Sequence, residues 1–163
     1  MKLISAVSIF VFSSLAVAID ESSDARKAIE LRFTQISKAF SDKNIKSVES
    51  IFADDFKAKS SGKPVSSRSD FFKEFESQMK LMSGVKWSQK IKKFTLEKGV
   101  AYILIESEMK SKVDSEEGKP QDFRIVSKTK NEWVKGKLGW QIRYSESVDS
   151  KMWLDGKELN PGE

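Results

Sequence analysis

The chain has 163 residues, 29 of them Lys or Arg and 24 Asp or Glu, for a formal net charge of +5, and 39% are apolar. That supports one hydrophobic core under a heavily charged shell and is too little for two cores or a membrane bundle. With Cys 0 and His 0, disulfides, thiolate nucleophiles, the usual zinc sites and every His-based triad are excluded.

The N-terminus reads as an address. Met1-Lys2 is a short positive end, Leu3 to Leu15 an apolar run, and Ala16-Val17-Ala18 a small-x-small cleavage site. Residues 1–18 are therefore expected to be a signal peptide and residues 19–163 a single domain of 145 residues (163 minus 18). The apolar stretch Leu3 to Ile19 covers 17 residues and is diluted by Ser5, Ser8, Ser13 and Ser14, at the low limit for a membrane span. A secreted or periplasmic location follows, with no stable membrane anchor after cleavage.

Ile29, Phe33, Ile36 and Phe40 recur at helical spacing and predict a helix from about 24 to 43, ended by Asn44 in a left-handed conformation. Val48, Ile51 and Phe52 suggest a further turn or two before a corner at Asp54-Asp55. Phe56 to Val65 reads as a small polar hairpin turning at Gly62. Ser67-x-x-Asp70 has capping-box spacing, so a helix should start there. Phe72, Phe75, Met79 and Met82 give that helix an apolar stripe, and Gly84 supplies a stop.

From Lys86 the period changes to alternation, with strands expected at 86–96, 99–110, 121–134 and 138–149. Their short connections, such as Glu97-Lys98-Gly99 and Lys135-Gly136-Lys137, predict antiparallel pairing of neighbours. In the second strand Val100, Tyr102 and Leu104 point one way, and Ala101, Ile103 and Ile105 the other. Both faces are apolar, so one should meet the helices and the other a partner subunit, giving a homodimer through the sheet face. Met152 to Leu159 contains an Asp155-Gly156 turn signal and extends past this core as a short C-terminal extension from about residue 150.

Helix, short helix, small hairpin, helix and long antiparallel strands make an α+β arrangement in which a curved antiparallel sheet wraps one long N-terminal helix. Two segments carry a resemblance to a known family. Ile45-Lys46-Ser47-Val48-Glu49-Ser50-Ile51-Phe52-Ala53-Asp54-Asp55-Phe56 is similar to the second helix and first strand of the nuclear transport factor 2-like superfamily. Trp133-Val134-Lys135 through Gly139-Trp140-Gln141-Ile142 is similar to its penultimate hairpin. This superfamily includes ketosteroid isomerase and the SnoaL-like polyketide cyclases, and the resemblance covers Ala25 to about Val148. It implies a cone-shaped, cystatin-like roll with a pocket between sheet and helices, and it is nearly silent on activity.

Without His, acid–base chemistry would fall to Asp, Glu, Lys or Tyr. The expected function is binding of a small apolar ligand, with Phe40, Phe75, Trp87, Tyr102, Leu104, Trp140 and Tyr144 as its lining and no cofactor or metal. The alternative is an isomerase- or cyclase-like enzyme using Asp55, Glu106 and Tyr144. Only 5 of the 29 basic residues are Arg, the side chain suited to bidentate phosphate and base contacts, so nucleic acid is not expected as a partner. The glycines form no phosphate-binding fingerprint, and the acidic turn Asp114 to Gly118 lacks calcium-loop spacing.

Overall fold

The computed structural model describes residues 12–60, 63–115 and 118–159. The first part of the predicted leader (1–11), the hairpin glycine Gly62, the acidic tip Glu116-Glu117 and residues 160–163 of the extension lie outside them.

Helix α1 (Phe12–Ser41) is followed by α2 (Ile45–Glu49), strand β1 (Phe52–Lys59), the short β2 (Ser66–Ser67) and α3 (Arg68–Leu81). Four long strands come next, β3 (Met82–Glu97), β4 (Val100–Asp114), β5 (Pro120–Gly136) and β6 (Gly139–Leu154), and then β7 (Lys157–Leu159). On α1 the residues Ala25, Ile29, Phe33, Ile36 and Phe40 are all buried, one continuous stripe that seats the helix against β3 and the sheet. Its end is a Schellman turn: the Asn44 amide donates to Ala39 O at 2.8 Å and the Lys43 amide to Phe40 O at 3.1 Å. The left-handed residue is Lys43 (φ 52), not Asn44. Asn44 instead caps α2 by accepting from the Ser47 amide at 3.1 Å. A side-chain oxygen that satisfies a helix-start amide is stabilising there, which leaves the left-handed position to its neighbour.

Ser67 caps α3 as predicted, accepting from the Asp70 amide at 3.2 Å. The helix then ends at Leu81, before Gly84, because Met82 is already extended (φ −106, ψ 145) and pairs with Val113 in the sheet. Gly84 (φ 60) sits where the β3–β4 register slips between Ser83 and Lys86, so the glycine serves a bulge. Asp54 and Asp55 likewise lie within β1 and not at a corner. The hairpin returns through β2, with Lys57 opposite Ser67 and Ala58 opposite Ser66.

The sheet order is β2-β1-β6-β5-β4-β3, with β7 added to β6. Strands β3 to β6 form an antiparallel meander. The exception to the expected antiparallel pattern is β1, which runs parallel to β6. Ile142 N donates to Ile51 O at 2.9 Å, and the Gln141 side chain donates to Ser50 O at 3.1 Å. These bonds tie the helical half of the chain to its last long strand. Between sheet and helices lies the core, with an edge-to-face aromatic cluster in which Phe52 meets Phe56 at 4.7 Å and Phe72 at 5.0 Å. Much of the expected C-terminal extension belongs to the sheet: Met152, Trp153 and Leu154 pair with Ile125, Arg124 and Phe123.

Candidate functional site

Alternation and register divide the strand residues between an inner face, toward the helices, and an outer one. Ala101, Ile103 and Ile105 of β4, Asn131 and Trp133 of β5, and Trp140 and Ile142 of β6 are buried on the inner side. Tyr102 is 41% exposed on the outer side, where Leu104, Glu106 and Tyr144 are half-buried.

The residues expected to line one pocket are therefore split. Phe40, Phe75 and Trp87 meet on the inner side, with the Phe40 ring 5.1 Å from Phe75 and 4.3 Å from Trp87. Trp140 is also buried there. Tyr102, Leu104 and Tyr144 face outward and line a surface depression of about 560 Å³ with Lys93, Lys130, Glu132 and Glu146. Tyr144 shares parity with Trp140 and Ile142, so strict alternation would turn it inward. The register slips between Glu132 and Trp133, however: Ile142 pairs with Trp133 while Tyr144 pairs with Glu132. Arg143 is the extra residue, and it reaches back to Glu132 at 3.0 Å. That bulge carries Tyr144 to the opposite face.

The acid–base candidates do not converge either. Asp55 is exposed on β1 with no hydrogen-bond or ion-pair partner among the described residues. Glu106 is engaged by Lys92 at 3.7 Å. Near Tyr144, Glu146 takes the Lys59 ammonium at 3.0 Å, and this hydrogen bond holds the Lys59 amine above its ordinary range. Among the described residues no Asp, Glu, Lys, Arg or Tyr is buried, and no cluster of three or more carboxylates could hold a metal ion.

The inner face is mainly apolar, and the polar residues buried in it carry no charge. Ser107, Ser111 and Asn131 are its buried polar residues. Ser107 Oγ and Ser127 Oγ share a hydrogen bond of 2.8 Å, and Gln89 stands in register beside Ser107. Gln89 Oε1, Ser111 Oγ, Asn131 Oδ1 and Trp133 Nε1 are buried with no hydrogen-bond partner. Each such orphan costs about 1–3 kcal/mol, a cost that a bound molecule or ordered water removes. Asn131 (5% exposed) and Trp133 (0%) are two residues apart on the same face of β5, an acceptor beside an indole donor. The Trp133 ring meets Phe33 of α1 at 5.4 Å, which fixes its plane. Sequence reading missed Gln89, Ser107, Ser111 and Asn131. The signal was available in β4, where Ser107 and Ser111 share the parity of Ala101, Ile103 and Ile105 and must enter the core with them.

No family model matches the chain, and no curated protein matches its sequence. Solved structures do match its shape. One titled a putative scytalone dehydratase from Novosphingobium aromaticivorans superposes with a TM-score of 0.71 at 14% identity, covering 89% of this chain and 98% of that one. An NTF2-like protein with a cystatin-like fold from the same organism gives 0.60 at 12% identity over 86% and 90% of the two chains. The fold is the nuclear transport factor 2-like cone. A hexachlorocyclohexane dehydrochlorinase (LinA, type 2) also shares it, with a TM-score of 0.62 at 12% identity over 90% and 99% of the chains. At these identities the likeness carries the nuclear transport factor 2-like architecture and no residue role.

Proposed function

We propose that this is an exported binding domain that takes up a small uncharged molecule between the sheet and the helices. The observation that carries the reading is the pair of orphaned groups on β5, Asn131 Oδ1 and Trp133 Nε1, enclosed where no titratable side chain is buried among the described residues. Such a wall can orient a ligand by hydrogen bonds and aromatic contact but has no side chain placed to move a proton at neutral pH. Phe40, Phe75 and Trp87 pack together on the same inner side of the sheet and would supply apolar area, so the ligand we propose pairs a polar edge with an apolar body. That modifies the apolar ligand expected from sequence.

The test is native mass spectrometry of the protein purified from its host, beside the variant Asn131→Leu. The expected spectrum is a chain beginning at Ile19 with a stoichiometric neutral adduct, lost in the variant. The variant should melt no lower than the parent, because it removes an unpaired polar group from the core. An adduct-free parent whose melting temperature responds to no neutral ligand at saturating concentration would refute the binding reading.

A further inference from the structure

Directly opposite residues on neighbouring strands share a face, and on the inner face the register gathers uncharged polar side chains into a strip. Gln89, Ser107, Ser127 and Ser150 stand side by side across β3, β4, β5 and β6. One step along the strands Thr129 lies beside Ser147, and one step further Asn131 lies beside Ser145. On the other side of the strip runs an apolar row, Trp87, Met109, Ile125 and Met152. Ser107 and Ser127 satisfy each other at 2.8 Å, whereas Gln89 Oε1 within the strip and Asn131 Oδ1 at its end are buried and unpartnered. Asn131 as a residue is only 5% exposed, while Ser127, Thr129, Ser145 and Ser147 are half-buried. The strip runs out to a free edge: β1 leaves β6 at Glu146 and β7 joins it at Met152, so residues 147–151 have β5 as their single strand neighbour among the described residues.

Resting on the binding reading above, and narrowing it, we infer that the ligand is a neutral saccharide, with its hydroxyl rim on the strip of β5 and β6 and its apolar ring face toward the row that begins at Trp87. The strip selects this class by its chemistry. Serine and threonine hydroxyls both donate and accept, and amide oxygens accept, so the occupant must offer donors and acceptors at several points spaced like the strands, about 4.8 Å apart. A carboxylate, phosphate or ammonium group would enter without a counter-charge, because no titratable side chain is buried among the described residues. A sterol or fatty alcohol has a polar group at one end and would leave most of the strip unpaired, at the cost of its desolvation. A pyranose carries hydroxyls around its rim and C–H groups on its faces, and so presents a polar band beside an apolar one, as the rows do. The free edge of β6 gives such a molecule a way in that parts no paired strands.

Saturation-transfer NMR on the parent protein tests the class, with glucose, galactose, maltose and trehalose as saccharides and decanol as an apolar alcohol. At least one saccharide should receive saturation. Thr129→Val and Ser147→Ala each remove one hydroxyl with little change of shape, and each should weaken that saccharide about tenfold. Asp149→Asn, an exposed position on the outer face, should leave its affinity unchanged, and far-ultraviolet circular dichroism reports whether each variant folds. Saturation of decanol alone would leave the binding reading standing and overturn the saccharide. Saturation of none of the probes at millimolar concentration would overturn both. A saccharide that binds Thr129→Val and Ser147→Ala as tightly as the parent would overturn its placement on β5 and β6.

Discussion

Glu108 on β4 shows how a single side chain on this sheet is held. Its carboxylate takes the Arg124 guanidinium at 2.7 Å and the Lys110 ammonium at 3.4 Å. The hydrogen bond from Arg124 is the main reason its pKa lies below the ordinary glutamate range; Lys110 adds to it and partial desolvation opposes it. A carboxylate depressed on folding contributes stability that is present above its unfolded pKa and is lost as pH falls through the folded one. The parent should therefore be the more stable of the pair with Glu108→Gln near neutrality, with the difference shrinking through the acid range and vanishing once the Glu108 carboxyl is protonated in the folded and unfolded states alike. Because the pair is partly exposed, the difference should stay below about 1 kcal/mol. Urea midpoints followed from about pH 6 to about pH 3 read this directly, and an unchanged gap would remove the ion pair from the account. Arg124 also lies 4.5 Å from the Trp153 ring centroid, so its own removal would mix two effects.

At the scale of elements, the bulges decide what each strand presents. Gly84 (φ 60) has no heavy atom within 4 Å of where a Cβ would stand, so Gly84→Ala meets no clash and its cost is conformational. About 1 kcal/mol of destabilisation is expected from the left-handed backbone alone, measured by chemical denaturation. A neutral or stabilising result would mean that the strand straightens and the bulge is dispensable. Bulges also explain what could be read in the letters and what could not. Four long strands, the Ser67 cap and the stripe of α1 follow from local periodicity and spacing, which a single sequence displays. The face of Tyr144 depends on one extra residue at Arg143, and the ending of α3 depends on Met82 finding Val113 across the sheet. Both are set by pairing with residues distant in sequence, to which alternation and helix-stop rules are blind. The inner polar set was missed for a different reason. Serine and asparagine on strands ordinarily mark solvent, and only the long apolar parity of β4 shows that Ser107 and Ser111 are carried inward.

For the whole molecule, with no cysteine to cross-link it, the chain is closed by sheet pairing and core packing alone. β4 and β5 are paired on both edges and carry Ala101 (0% exposed) and Trp133 (0%) at the centre of the core. β1 reaches the sheet only through its parallel register with β6, interrupted between Phe52 and Lys57. β7 is exposed throughout and pairs only with Met152 to Leu154. These differences predict an order of opening. Native-state hydrogen exchange should find the amides of Ala101, Ile103, Asn131 and Trp133 exchanging only through global unfolding, with a denaturant dependence equal to that of the whole domain. The amides of Lys157 to Leu159 should exchange by local fraying with almost no denaturant dependence, and those of Ala58 and Lys59 should fall between, opening with β2 as a unit. A β7 as slow as β5 would show that the far end of the sheet is covered in solution. Slow exchange confined to the centre would instead place the rigid part of the fold where Asn131 and Trp133 stand, so that their orphaned groups are held in position before any ligand arrives.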